Sequence, residues 1–313
     1  MPIIQTLLSC QETSGCWIDM ARKPFAFKQF TISQETVTLA VTTDACLFGA
    51  SIELGSAGTV LDLGTGTGFL LLMLAQRYPQ LQGFGLELDS ATAIQAAANA
   101  ASSPFHERLH IAQGDWNDSV WEAIDPPKNA INGDWNDSIW EAIDHPTNPI
   151  SRIPQQAQTK AGGPDNDAPH IEPGIETSNP IHAWPKRFDT IVCNPPFFER
   201  QQESQDELKR SARHHASGSL IKLLNLAAEL LKPGGAFHLL LPPESCPTQW
   251  GAWHIASQQA IAAHPGKAPH LLHLCLQLEP TTCQERETLN TYDKPGTYSQ
   301  EAFELLREFY LNF

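Results

Sequence analysis

The sequence predicts a doubly wound α/β fold on a mostly parallel sheet. Three observations carry this. Strand-like apolar runs alternate with helical runs, a glycine-rich turn joins one such strand to its helix, and a mid-chain strand ends abruptly in Asn-Pro-Pro-Phe. The 313 residues, 41% of them hydrophobic, suffice for a sizeable core.

The elements follow in order. Residues 59–64 (TVLDLG) read as a buried strand, 67–78 (TGFLLLMLAQRY) as a helix and 83–88 (GFGLEL) as a strand. Residues 90–101 (SATAIQAAANAA) form an alanine-rich helix with Ser90 as the expected N-cap, and 108–113 (RLHIAQ) a third strand. Later come a strand at 188–194 (FDTIVCN), an amphipathic helix at 219–231 stopped by Lys232-Pro-Gly-Gly, and a strand at 236–242. A late strand at 270–280 and a final helix at 299–310 complete the pattern.

An insertion separates the third strand from the fourth. QGDWNDSVWEAIDPPKNAI (113–131) is followed directly by NGDWNDSIWEAIDHPTNPI (132–150), a tandem duplication of period 19. Two copies are too few for a solenoid. Residues 151–185 are rich in Pro, Gly, Asn and Gln and read as a long mobile loop. The expected organisation is an N-terminal extension (1–20) and one domain (21–313) interrupted by an insertion at 116–186.

Charge and cysteines exclude several classes. The formal net charge is −15, which argues against a generic nucleic-acid binder. Residues 113–180 hold twelve acids and three bases, so most of the acidity belongs to the insertion. Seven scattered cysteines without a Cys-x-x-Cys pair fit reduced thiols better than disulfides or a zinc site. No membrane span, signal peptide or metal is expected, and the reading is a cytoplasmic protein.

The glycine turn has a specific form. Asp62 precedes Gly64-x-Gly66-x-Gly68, and Glu87 ends the second strand 19 residues after Gly68. Glycines let the backbone turn sharply and approach a ligand, and an acid at the second strand can accept bonds from ribose hydroxyls. The spacing is not the G-x-G-x-x-G of dinucleotide folds. LDLGTGTG resembles the S-adenosylmethionine loop of class I methyltransferases. Asp115, ending the third strand, can accept from an adenine amino group or cap the next helix. Asp134 has the same local context through the duplication, and the better strand before Asp115 favours it.

Asn194-Pro195-Pro196-Phe197 supplies a second chemistry. An exocyclic amine on a base has a delocalised lone pair and two N–H donors. The Asn194 side-chain oxygen and the Pro195 carbonyl can accept both, which orients the nitrogen for attack on a methyl group. Positioning and electrostatics then suffice without a strong base. Pro196 fixes the turn, and Phe197 gives an extruded base a stacking face.

IVCNPPF is similar to the Asn-Pro-Pro-aromatic motif of amino methyltransferases acting on adenine N6, guanine N2 or glutamine N5. PFAFKQFTI (24–32), VTTDACLFGA (41–50) and YSQEAFELLREFYLNF (298–313) resemble the bacterial tRNA1(Val) adenine-37 N6-methyltransferase family, nearly the whole chain from Ala21 outside the insertion. The resemblance implies a Rossmann-like fold, S-adenosylmethionine as cofactor and a tRNA adenine as substrate. It also implies Lys28 and Gln29 near the cofactor, Thr43 and Asp44 closing its pocket, and Arg213 and His214 either facing RNA or in an exposed loop. The chain departs from the family at Thr42, where glycine is more usual, and at Phe197, where tyrosine is frequent. A monomer is favoured. Rival readings are a ribosomal-RNA guanine N2-methyltransferase, a release-factor glutamine N5-methyltransferase and a silent cofactor-binding protein. Only about fifty residues precede the glycine loop, which disfavours the extra half or helical domain of the first two. The intact Gly64, Gly66, Gly68, Glu87 and Asn194 disfavour the third.

Overall fold

The computed structural model describes residues 23–35, 40–55, 58–116, 181, 184–195 and 220–311. A short antiparallel hairpin, β1 (Phe25–Ala26) and β2 (Thr31–Ile32), leads to α1 (Thr43–Ser51). The winding core follows as β3 (Thr59–Leu63), α2 (Phe69–Arg77), β4 (Gln82–Glu87), α3 (Ser90–Ala101) and β5 (Leu109–Gln113). Then come β6 (Phe188–Cys193), helix α4 (220–230) and β7 (Leu231–Leu241). The chain ends with β8 (His254–Ala262), β9 (Leu271–Gln277), four short strands and α5 (Gln300–Leu306). The short strands are β10 (Gln284–Glu285), β11 (Leu289–Asn290), β12 (Tyr292–Lys294) and β13 (Thr297–Tyr298).

One nine-stranded sheet organises the molecule in the order β10-β8-β9-β7-β6-β3-β4-β5, with β11 also on β8. Strands β7, β6, β3, β4 and β5 are mutually parallel, and β9 runs antiparallel to β7 and β8. The expected mostly parallel, doubly wound sheet is therefore present. From β3 the chain winds to β4 and β5 on one side, and to β6 and β7 on the other. The topological switch point, where such sheets bind ligands, thus lies between β3 and β6 at their carboxyl ends.

Both faces of the sheet are covered. Val60, Leu61 and Leu63 of β3 are fully buried, as a parallel strand with helices on both sides requires. On one face α1, α2, α5 and the hairpin share a cluster that includes Ile32, Phe48, Leu72 and Phe309. On the other, α4 packs Leu223, Leu224 and Ala227 against Phe188, Phe237 and Trp253.

Local differences from the sequence reading have physical causes. Helix α2 begins at Phe69 because Gly68 is left-handed, with φ 78°. Asp89, not Ser90, caps α3: its Oδ1 accepts from the Thr92 amide at 2.9 Å and the Thr92 hydroxyl at 2.7 Å. After α4 the chain enters β7 at once, with a register shift opposite Phe188 and Thr190, and the Lys232 ammonium bonds both Asp189 oxygens at 3.0 Å. Trp184, assigned to the insertion, is core: it is 4% exposed and packs with Phe84, its ring centroid 5.3 Å away. Residues 117–180 and 182–183 of the insertion, and with them most of the duplicated segment, lie outside the described residues. Among the described residues no helix is long and apolar enough to cross a membrane, and no cluster of His, Cys, Asp and Glu could hold a metal.

Candidate active site

The loop after β3 takes its shape from glycine. Gly64, Gly66 and Gly68 have φ of 76°, 56° and 78°, a region other residues rarely adopt. Neighbouring strands hold the turn: the Gly64 and Thr65 amides both donate to the Leu86 carbonyl, at 2.9 and 3.0 Å. Glu87 ties down the tip, one oxygen accepting from the Gly66 amide at 2.9 Å and the other from the Asp89 amide at 3.1 Å. A Cβ at Gly66 would meet nothing within 4 Å among the described residues. At Gly64 a Cβ would lie 3.2 Å from the Trp116 ring.

Asp62 lies beneath the loop, fully buried. Its Oδ2 accepts from the Thr65 hydroxyl at 2.7 Å, while its Oδ1 is buried without a hydrogen-bond partner among the described residues. Burial pushes its pKa up to about 7; the Thr65 bond opposes that rise and the Glu87 charge adds to it. An unsatisfied carboxylate oxygen under left-handed glycines is costly unless a ligand completes it.

Asn194 is brought to the same place. Asp62 pairs with Val192, so Asn194, two residues on, leaves β6 level with Gly64 at the switch point. Neighbouring strands lie about 4.8 Å apart. Where β3 and β6 part, the Cys193 thiol donates to the Leu63 carbonyl at 3.0 Å. Asn194 is half-buried and Pro195 buried. Pro196, Phe197, Arg213 and His214 lie outside the described residues, as does Asp134. Asp115 stands at the same carboxyl edge, since the Gly114 amide donates to the Glu87 carbonyl at 2.9 Å.

Of four other expected residues, Lys28, Thr43 and Asp44 make the hydrogen bonds that follow. Lys28 and Gln29 are exposed at the hairpin tip. The Lys28 amide donates to the Phe309 carbonyl at 2.7 Å, and its ammonium to the Arg307 carbonyl. The Thr43 hydroxyl meets Tyr298 and Tyr310. Asp44 accepts from His270 Nε2 at 3.0 Å, a bond that raises the imidazole pKa. These contacts join the hairpin and α1 to the C-terminal segment and β9, and none of these bonds reaches the glycine loop. The sequence reading missed Asn99, whose Nδ2 donates to the Thr67 carbonyl at 2.9 Å. The one polar side chain in a run of alanines was its available signal.

A methyltransferase-domain family model matches residues 54–125, which include the glycine loop, Glu87 and Asp115. The tRNA1(Val) (adenine(37)-N6)-methyltransferase of Histophilus somni is 32% identical over 94% of this chain and 100% of its own. The chain belongs to this family. The tRNA1(Val) (adenine(37)-N6)-methyltransferases of Actinobacillus succinogenes and Yersinia pestis are 30% and 31% identical over 92% of this chain. They are matched over 98% and 94% of their own lengths. Among solved structures, a predicted O-methyltransferase from Agrobacterium tumefaciens superposes with a TM-score of 0.47 and 13% identity, over 84% of this chain and 95% of its own. As a member of the tRNA1(Val) adenine-37 N6-methyltransferase family, the chain is a methyltransferase.

Proposed function

We propose that the chain transfers a methyl group from S-adenosylmethionine to N6 of adenine 37 in a valine tRNA, acting in the cytoplasm as a monomer. The observation that carries this is the β3–β6 register, which sets Asn194 level with Gly64 at the switch point.

The residues present fit the cofactor. Among the described residues nothing crowds Gly66, and Asp62 Oδ1 is a buried polar atom without a partner. Each Glu87 oxygen accepts one amide, so the carboxylate retains lone pairs for two adjacent ribose hydroxyls. Gly64, Gly66 and Gly68 would let the backbone close on the ligand, and Asp115 would accept from its adenine amino group. When bound, S-adenosylmethionine supplies an electrophilic methyl group on a sulfonium.

The chain's own contribution is orientation. Asn194 Oδ1 and the Pro195 carbonyl accept the two N–H bonds of the target amine, so its lone pair is directed at the methyl group. Pro195 and Pro196 keep the carbonyl fixed. Phe197 stacks on the extruded base, a contact worth about 1–3 kcal/mol.

Asn194→Ala tests the assignment. The variant should bind S-adenosylhomocysteine within about threefold of the parent, yet lose turnover by roughly 100- to 1000-fold. Full turnover in the variant would remove Asn194 from the mechanism.

A further inference from the structure

The glycine loop is also held from the side of the N-terminal hairpin. Asn99 lies in the last turns of α3 and is 3% exposed. Its Oδ1 accepts from the Ser33 amide at 2.9 Å. Its Nδ2 donates to the Ser33 carbonyl at 3.0 Å and to the Thr67 carbonyl at 2.9 Å. Both donor hydrogens are used, and the oxygen is engaged as well. The amide thus pairs with Ser33 as a neighbouring strand would, and passes its second hydrogen to the loop one residue before left-handed Gly68.

A second amide braces the same segment. Gln34 is 8% exposed; its Oε1 accepts from the Val41 amide at 3.1 Å and its Nε2 donates to the Lys23 carbonyl at 3.0 Å. Ser33 and Gln34 are therefore fixed against both the hairpin entrance and the start of α1. A buried asparagine with every bond made is in the first instance a packing device. What sets Asn99 apart is where one bond ends. The Thr67 carbonyl belongs to the loop itself, on the limb that Glu87 does not hold. Without Nδ2 that carbonyl is left unsatisfied and the limb loses its anchor.

We propose that Asn99 is a positioning residue for the cofactor, fixing the Thr67–Gly68 limb and making the Ser33–Gln34 segment part of the cofactor site. The inference rests on the S-adenosylmethionine reading of the loop.

Asn99→Asp is the discriminating variant. It keeps size and the acceptor for Ser33, but sets an oxygen where two carbonyls need a donor. Calorimetry with S-adenosylhomocysteine should show affinity weakened about tenfold or more. The KM for the methyl donor should rise in parallel, with kcat at saturation within about threefold of the parent. A folded variant that binds as tightly as the parent overturns the inference, whatever its melting temperature. If the variant does not fold, amide exchange in the parent decides. S-adenosylhomocysteine should slow exchange at Ser33 and Gln34 together with residues 64–68, and unchanged exchange at 33–34 overturns it. A parent chain that binds no S-adenosylhomocysteine sinks the proposed function and the inference together, whereas binding by the parent with equal binding by the variant sinks the inference alone.

Discussion

Two polar clusters buried in the sheet differ in whether they are complete among the described residues. Asp62 on β3 has one oxygen bonded to Thr65 and the other without a partner among the described residues. On the antiparallel side, His238 of β7 and His273 of β9 form a closed chain. Ser51 donates to the Phe48 carbonyl at 2.9 Å, so it accepts from His273 Nδ1 at 2.9 Å. His273 Nε2 then accepts from His238 Nδ1 at 3.0 Å, and His238 Nε2 lies 3.9 Å from the Cys275 thiol. Both imidazoles are satisfied while neutral. Burial, with the nearby Arg286 charge, lowers His238 to about 4; burial, then His238 and Arg286, hold His273 well below its ordinary value. The complete cluster joins α1, β7 and β9. The incomplete one, beneath left-handed glycines, calls for a ligand. Burial of polar groups does not by itself mark a site; an unmade hydrogen bond beneath a left-handed glycine loop at the switch point is a stronger sign.

The largest expected contrast comes from breaking the closed chain. His273→Ala removes two bonds and leaves a cavity, which should cost about 3 kcal/mol in urea unfolding. Affinity for S-adenosylhomocysteine should stay within about twofold of the parent, since the cluster does not meet the loop. Asp62→Asn should do the reverse: affinity weaker by about tenfold, without comparable loss of stability.

The two clusters also have opposite pH slopes. Folded Asp62 keeps its proton up to about 7, where the unfolded chain has already lost it, so stability falls as pH rises through that window. The unfolded histidines take up protons below about 6.5 that the folded ones refuse, so their contribution is lost as pH falls. In the cofactor-free state the melting temperature of Asp62→Asn relative to the parent should therefore rise from pH 5 to pH 8. A difference that stays flat over that range would mean Asp62 is not the buried, proton-holding group described.

The smallest effect is expected from the insertion. A Cβ at Gly114 would lie 3.5 Å from Ile181 Cδ1, so the chain returns close to where it left. Replacing residues 117–180 with a short Gly-Ser linker should move the melting temperature by only about 3 °C, given the weak dependence of loop closure on length. Loss of folded protein would show that the insertion contributes to the core.

The parallel strands and the glycine loop were legible because two-sided burial and left-handed turns write themselves into residue type. Helix α1 was not, because Ala45 to Ser51 are all buried and leave no polar face to set a period. Strand β8 (HIASQQAIA) escaped because only Ile255 and Ile261 are bulky and apolar, and its Gln258–Gln259 pair reads as surface. Trp184 was lost in a proline-rich stretch, although a lone tryptophan there signalled the return to the core. Lys28 and Asp44 were read as cofactor residues from resemblance, while their hydrogen bonds run to Arg307 and His270. Partners from distant segments leave no local pattern.

The most direct measurement is methyl transfer from labelled S-adenosylmethionine to bulk unmodified tRNA, with nucleoside analysis of the product. Label in N6-methyladenosine at adenine 37 of a valine tRNA is expected, and should be abolished by Asn194→Ala. Label in N2-methylguanosine, or in no nucleoside with folded enzyme that binds S-adenosylhomocysteine, would contradict the assignment.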